Sequence, residues 1–358
     1  MQPRSTLFGW CTGLSALLVL AMIVSIGIGP VRIDPLTITK ILLNELVVPM
    51  PGAATNSASV IGLEFVPIFS FDVSEAHRTI VLQIRLPRIV LGALVGCSLA
   101  IAGAVMQGFF RNPMADPSII GVSSGAAVGA VAAITLPFAL PFGLELQTAA
   151  FVGGVGTAFL VYLIATEGGR TPVATLLLAG IAVQTFLGAV ISFMLLRSGE
   201  TLEEAVYWLM GHLHYASWTR VVWLSLALPP LTILLVAYSR DLNVLLLGEE
   251  EAHNLGIEVK RTKRILLTVS SVVTAMAVAV SGVIGFVGLI VPHMMRLVIG
   301  PDHRLLLPTS ALAGAAFLVA TDTLARSGPG ELPVGIVTAA LGAPFFLFLL
   351  RRRRVYAL

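Results

Sequence analysis

The stretch LLLGEEEAHNLGIEVKRTKR, residues 245–264, collects three consecutive glutamates, a glycine and four basic residues in one short segment. On either side lie charge-poor runs, 220–239 and 265–285. Each is long enough to cross a bilayer, which takes roughly 20 apolar residues of helix. A charged segment between two such runs predicts a loop joining two membrane spans. The rest of the chain extends this pattern. Of its 358 residues, 57% are hydrophobic and only 11% are charged, with a mean hydropathy of +0.95. Soluble domains carry roughly 25% charged residues, and a water-soluble fold of this length could not hide so much apolar surface. The sequence therefore predicts an all-α polytopic membrane protein, a single transmembrane domain over residues 1–358. The net charge of +3 is modest and predicts an orientation bias, with membrane lipid as surroundings and no nucleic acid as partner.

Charge-free windows place spans near 7–29, 89–110, 118–138, 147–165, 173–196, 220–239, 265–285, 305–325 and 332–350. A shorter apolar piece, GFVGLIVPHMMRLVIG (285–300), is interrupted by Pro292 and makes about ten transmembrane helices, the eighth short and irregular. Proline is tolerated there only where neighbouring protein satisfies the backbone groups it frees. The first run follows Arg4 and stays uncharged from Ser5 to Val31. That is far longer than the roughly 7–15 residues of a signal-peptide core. Residues 30–88 form a long outer segment rich in proline and small residues, predicted as an interfacial or cap-like element.

Basic residues prefer the cytoplasmic side. With both termini inside, 14 of the 22 Lys and Arg residues are cytoplasmic, including the 351–354 tail and the loop over 240–264. Arg85, Arg88 and Arg326 are exceptions at outer ends of spans. They either snorkel to lipid headgroups or dock carboxylates of an acidic partner through bidentate pairs.

No Walker A loop, HExxH or GxSxG motif occurs, and no pair of carboxylates lies within a span. Neither catalysis nor a cofactor or metal site is expected. Cys11 and Cys97 lack metal or disulfide spacing and are predicted as small buried hydrophobes. An ion-coupled carrier usually keeps an acidic residue near mid-bilayer. The one acidic residue inside a span here, Asp322, sits four residues before Arg326, as an i,i+4 ion pair would require. Gly121, Gly125 and Gly129, and Gly92 with Gly96, have the spacing of close helix contacts. AIAGAVMQGFF (100–110) and AVSGVIGFVGL (279–289) echo each other weakly, as in transporters built from repeats.

Residues Glu249 to Leu255 can form about two helical turns, stopped by Gly256. Leu247, Ala252 and Leu255 then make an apolar stripe. A solvated charged loop and a short helix docked on another protein both fit this pattern.

Several motifs together resemble the iron-siderophore, haem and cobalamin permease family of ABC importers. They are RLPRIVLGALVGCSLAIAGAVMQGFFRNPMADPSIIGVSSGAAVGA (85–130), LLLAG (176–180), YWLMGHL (207–213), LGEEEAHNLGI (247–257), GFVGLIVPHMMRLVIGPDHRLLLP (285–308), DTLAR (322–326) and ELPVGIVTAALGAPFFLFLLRRR (331–353). The resemblance covers nearly everything from residue 80 onward. It implies a type II ABC importer permease architecture working as a homodimer with a second copy of itself. Two cytoplasmic ATPase subunits would drive it, and an extracytoplasmic substrate-binding protein would feed it. The cargo would be a metal chelate, ferric siderophore first and cobalamin or haem next. An ATPase-independent secondary carrier is the alternative. By the same resemblance Leu247, Gly248, Glu249, Glu250, Glu251, Ala252, Leu255 and Gly256 form the coupling helix that enters a cleft on the ATPase. Arg85, Arg88 and Arg326 would meet acidic residues of the binding protein. Asn112 and Met114 would be gate residues, Gln107 a path residue and Thr175 part of a constriction. Val173, Ala174 and the long 30–88 segment depart from the family pattern. His212 and His214 invite a haem-ligand reading, but outer-interface histidines more often hydrogen-bond headgroups or backbone.

Overall fold

The computed structural model describes residues 4–51, 63–136, 145–166, 171–328 and 330–351. Part of the outer segment (52–62), the end of the third expected span (137 and 138) and residues 352–354 of the basic tail lie outside the described residues. The elements are α1 (Arg4–Gly27), α2 (Pro35–Asn44), β1 (Val47–Pro51), β2 (Leu63–Pro67), α3 (Glu75–Thr79), a π-helical turn (Ile80–Arg85), α4 (Leu86–Phe109), α5 (Val122–Thr135), α6 (Glu145–Ala165), α7 (Val173–Arg197), α8 (Leu202–Leu209), α9 (Trp218–Ala237), α10 (Ser239–Leu245), α11 (Glu249–Asn254), α12 (Val259–Ser281), α13 (Val287–Ile299), α14 (His303–Ala325) and α15 (Val334–Arg351).

Among the described residues, seven helices are long and apolar enough to cross a membrane, and three shorter apolar helices, in α5, α13 and α15, complete the set. Each expected span has its helix. The outer segment holds more order than a cap: α2, with Pro35 in its first turn and Asp34 accepting from the Leu36 amide at 3.1 Å, then the antiparallel β1–β2 hairpin with Val47 opposite Pro67. Helix α3 and the π turn run on into α4 as one helix, Glu75–Phe109. The second span therefore begins well before residue 89.

Helix α4 is the central post, and most of its length is buried. It lies against α14 so closely that a Cβ at Gly96 would overlap the Gly314 carbonyl, and one at Gly314 the Gly96 carbonyl. Gly125 of α5 and Gly153 of α6 meet in the same way. In lipid, tight backbone packing replaces the hydrophobic drive that holds soluble helices together. Of the expected glycine ridge, Gly121 is instead the turn residue ahead of α5, at φ +86°. The echoed segments also differ. Residues 100–110 are a continuous helical end, whereas 279–289 spans the break between α12 and α13.

Pro292 inside α13 cannot donate to the Gly288 carbonyl, and its ring disturbs the adjoining turn. Gln107 of α4 supplies the donor: its Nε2 reaches Leu289 O at 2.9 Å and Gly288 O at 3.4 Å. Its Oε1 accepts from Arg296 Nη1 at 2.7 Å. Gln107 is fully buried. Its side chain here joins the carbonyls that precede Pro292 to Arg296.

Candidate functional site

Two charged regions lie at opposite ends of α4 and α14, and the chain folds them in opposite ways. At the Phe109 end, Gly248 at φ +136° turns the chain into α11, and Gly256 at φ +84° releases it. A side chain would be strained at either angle. The six-residue helix between them is tethered by Lys263, whose Nζ donates to Glu249 Oε1 at 2.7 Å and lies 5.3 Å from the centre of the Phe109 ring. An open cleft of about 1020 Å³ runs beside it, with Glu250, His253, Lys260, Arg261 and Arg264 in its wall.

The expected apolar stripe is split. Leu247 and Leu255 project outward, 65% and 63% exposed, whereas Ala252 is at 0% and packs into the main core. Ala252 therefore seats the helix on the core. A stripe predicted from three positions on so short a helix could not distinguish the two sides.

At the other end the three arginines are not on the surface. Arg85, Arg88 and Arg326 are 4%, 6% and 4% exposed. Arg88 grips Asp322 through Nε (3.1 Å) and Nη2 (3.0 Å) and reaches Glu331 with Nη1 at 2.7 Å. Arg326 donates Nε to the same Asp322 at 3.0 Å and Nη2 to Ser25 Oγ at 2.6 Å. Arg85 donates to the carbonyls of Ile26 and Val31. The cluster clamps α1, α4 and α14 to one another. Within this chain their donors are engaged and little of their surface is open. The i,i+4 pair of Asp322 and Arg326 is present as expected.

Burial alone would raise the Glu331 carboxyl, but the hydrogen bond and charge of Arg88, with His214 beside it, outweigh that and hold it below the usual carboxylate range. His214 Nδ1 lies 3.2 Å from Glu331 Oε2. His212 is buried, its ring stacked on Tyr207 at 4.9 Å, and its amide donates to Ser281 O at 2.7 Å. Burial, with Arg220, His214 and Arg88 nearby, pushes it down to about 4. These partners give both histidines structural work and leave neither positioned as one of a pair of haem ligands.

Asn112 is exposed and accepts from the Met114 amide at 2.9 Å, while Met114 is half-buried. Thr175 is exposed on the first turn of α7. That helix buries only Leu176, Ala179 and Gly180. Its open face carries Leu178, Phe186, Phe193 and Leu196 beside the small or hydroxyl residues Ala182, Thr185, Ala189 and Ser192. The sequence reading did not single out this face, since every membrane helix is apolar all round and burial is invisible in composition. Among the described residues no group of three or more His, Cys, Asp or Glu side chains is arranged to hold a metal.

The comparisons place this geometry in a known setting. The chain is 56% identical over 364 aligned residues, covering 98% of it and 97% of the relative, to the cobalamin import system permease protein BtuC of Halobacterium salinarum. It is 42% identical to the hemin transport system permease protein HmuU of Yersinia pestis, covering 90% of this chain and 98% of the other. Its fold matches a solved inward-facing ABC transporter assigned to the metal-chelate type, with a TM-score of 0.79 and 32% identity, covering 98% of this chain and all of that one. The profile of the FecCD transport family matches residues 17–352. A membrane-embedded helical bundle with this match along nearly its whole length belongs to the FecCD transport family.

Proposed function

We propose that the chain is the membrane-spanning permease subunit of an ABC importer that carries a metal chelate into the cytoplasm. What carries the reading is the pairing of two unpartnered surfaces: the α7 face, fit for a second copy, and the protruding Leu247 and Leu255 on a tethered short helix. The α11 end faces the cytoplasm, with both termini on that side, and meets an ATPase. The opposite end, where Arg85, Arg88 and Arg326 lie, receives a substrate-binding protein. The α7 faces of two copies enclose the path, with Thr175, Asn112 and Met114 near its inner end. An ion-coupled carrier is the weaker reading, because Asp322 is fully engaged by two arginines and lies at a helix end rather than at mid-span.

For cargo, the 56% identity across the full length favours cobalamin over ferric siderophore as the first chelate to test. The test is uptake by proteoliposomes holding the permease, its ATPase and its binding protein. ATP-dependent cobalamin uptake is expected. ATP-dependent uptake of a ferric siderophore or haem alone would overturn only the cargo. Uptake driven by an ion gradient without the ATPase would overturn the importer.

A further inference from the structure

A groove of about 1210 Å³ runs between the end of α1 and α2. Ile23 and Val24 line it from α1, and Leu42 and Leu46 line it from α2 and just beyond. Helix α2 is two-sided. Its Ile38 and Ile41 join a small core with Ile26, Val81 and Ile89, whereas Leu42 and Leu46 stay exposed. An exposed apolar side chain on a membrane span faces lipid and needs no further account. A second apolar wall standing opposite it does.

The depth of the groove is set by α1. Ile23 and Val24 precede its end at Gly27 by one helical turn, about 5–6 Å at 1.5 Å per residue. Amphipathic helices on a membrane set their apolar face roughly 5–10 Å into the boundary between headgroups and acyl chains. Helix α2 therefore lies at that boundary. Leu17, Leu20 and Val24 are exposed along one face of α1, so the groove continues the surface that the bilayer already covers. An acyl chain enters it from the side, whereas a soluble protein would first have to displace lipid from α1.

The polar end of the groove fits the other half of a lipid. Arg32 also lines it, in the loop beyond Gly27 and so on the aqueous side of the apolar walls. Arg32 is exposed and has no ion pair among the described residues. Its planar fork suits phosphate oxygens. Asp34 lines the same end, with its carboxylate accepting from the Leu36 amide at 3.1 Å as the cap of α2. That second charge disfavours a doubly negative phosphomonoester and leaves room for a phosphodiester with one negative charge.

We infer that the groove holds one phospholipid of the phosphodiester class, with an acyl chain between Val24 and Leu42 and its phosphate on Arg32. The lipid fastens the long outer segment to the first span. This needs only that α1 crosses the membrane, and it stands or falls independently of the cargo and of the ATPase.

The test adds dioleoylphosphatidylglycerol to the purified full-length chain, stripped of lipid, in detergent. Native mass spectrometry should show one tight site per chain, and the thermal midpoint should rise to a plateau. Val24→Trp with Leu42→Trp fills the groove from two exposed positions and should weaken binding at least tenfold. Arg32→Gln should weaken it several-fold, while dioleoylglycerol, with the same tails and no phosphate, binds that variant as it binds wild type. Cryo-electron microscopy of the wild type in nanodiscs of the same phospholipid gives a reading that needs no variant. Elongated density between α1 and α2, with its head at Arg32, is expected. Binding that never saturates, or that is undiminished in the double-tryptophan variant, would overturn the site, and so would protein density filling the groove. An equal rise in midpoint with glycerol phosphate, which has no tails, would replace the lipid by a free phosphate ester. Equal losses for both lipids in Arg32→Gln would overturn the phosphate contact.

Discussion

The two ends of α4 carry charge in comparable amounts and use it in opposite ways. At the Arg88 end, Arg85, Arg88, Arg326 and Asp322 are sealed inside the protein and satisfy one another and nearby carbonyls. At the Phe109 end, the glutamates of α11 and the basic residues after it remain in contact with solvent around an open cleft. What separates them is the presence of an acidic partner on another helix. Asp322 of α14 faces Arg88 across the α4–α14 contact, so charges there can be buried. The charges to be matched on α11 are glutamates, and among the described residues their one basic partner is Lys263, so the segment stays open to solvent.

The sharpest way to break this comparison is to remove one member of the sealed set. Arg88→Ala leaves Asp322 and Glu331 facing the gap, and breaking a buried pair costs about 3–5 kcal/mol. Thermal unfolding of the purified chain should show a loss of that order, with reduced membrane abundance. A midpoint equal to wild type would show that the sealed cluster does not hold the bundle together.

The next test moves to the open end, at the one position there that is closed. Ala252→Arg forces a large cation into the core, and overpacking alone typically costs about 1–3 kcal/mol. The variant should lose abundance as well as coupling. Normal abundance with coupling alone lost would mean that Ala252 faces the partner after all.

Acid sharpens the comparison more gently. His212 is held down to about 4 in the fold, from an ordinary value of 6.5. Between those values the unfolded chain binds the proton and the folded chain does not, so stability falls as pH drops from 6.5 towards 4. The shift corresponds to on the order of 3 kcal/mol at full effect. Thermal midpoints across that range should fall less steeply in His212→Phe, which keeps the stacking on Tyr207 and lacks the titration. Glu331 acts in a lower window. Its carboxyl is held below 4.5, and its contribution is present above that value and lost as pH falls through the folded one. Identical pH profiles for wild type and His212→Phe would remove the buried histidine from the account.

How much was legible in the sequence follows from the range of each interaction. The spans were legible because hydropathy is a local sum, and even the short α13 could be placed from its own residues. The Asp322–Arg326 pair was legible because its members are one helical turn apart. The ion pairs of Arg88 were not legible because its partners Asp322 and Glu331 lie 234 and 243 residues away, and an arginine at a span end looks the same with or without them. The bonds of Gln107 were hidden for the same reason, since they go to carbonyls beside a proline on another helix. The burial of Ala252 was hidden for a different reason. A six-residue helix has no face that composition can orient, and only the packing of α11 against α12 decides which side is inward.

The last test has the smallest effect on stability and bears most directly on the proposed role. Leu247 and Leu255 are exposed on a segment otherwise crowded with charge, and surface changes of this kind usually shift stability by about 0.5 kcal/mol or less. Leu247→Arg with Leu255→Arg should therefore leave the thermal midpoint and membrane abundance near wild type. If the pair is what an ATPase grips, the same variant should lose the partner in pull-down, because two apolar anchors become charges that must be desolvated on docking. Lys263→Met provides the control. It removes the tether to Glu249, an interaction worth about 1 kcal/mol or less at a partly exposed site, and should weaken the complex without abolishing it. An ATPase that still binds the double-leucine variant at wild-type strength would show that the open end works through its charges or not at all. The contrast between the two ends of α4 would then rest on packing alone.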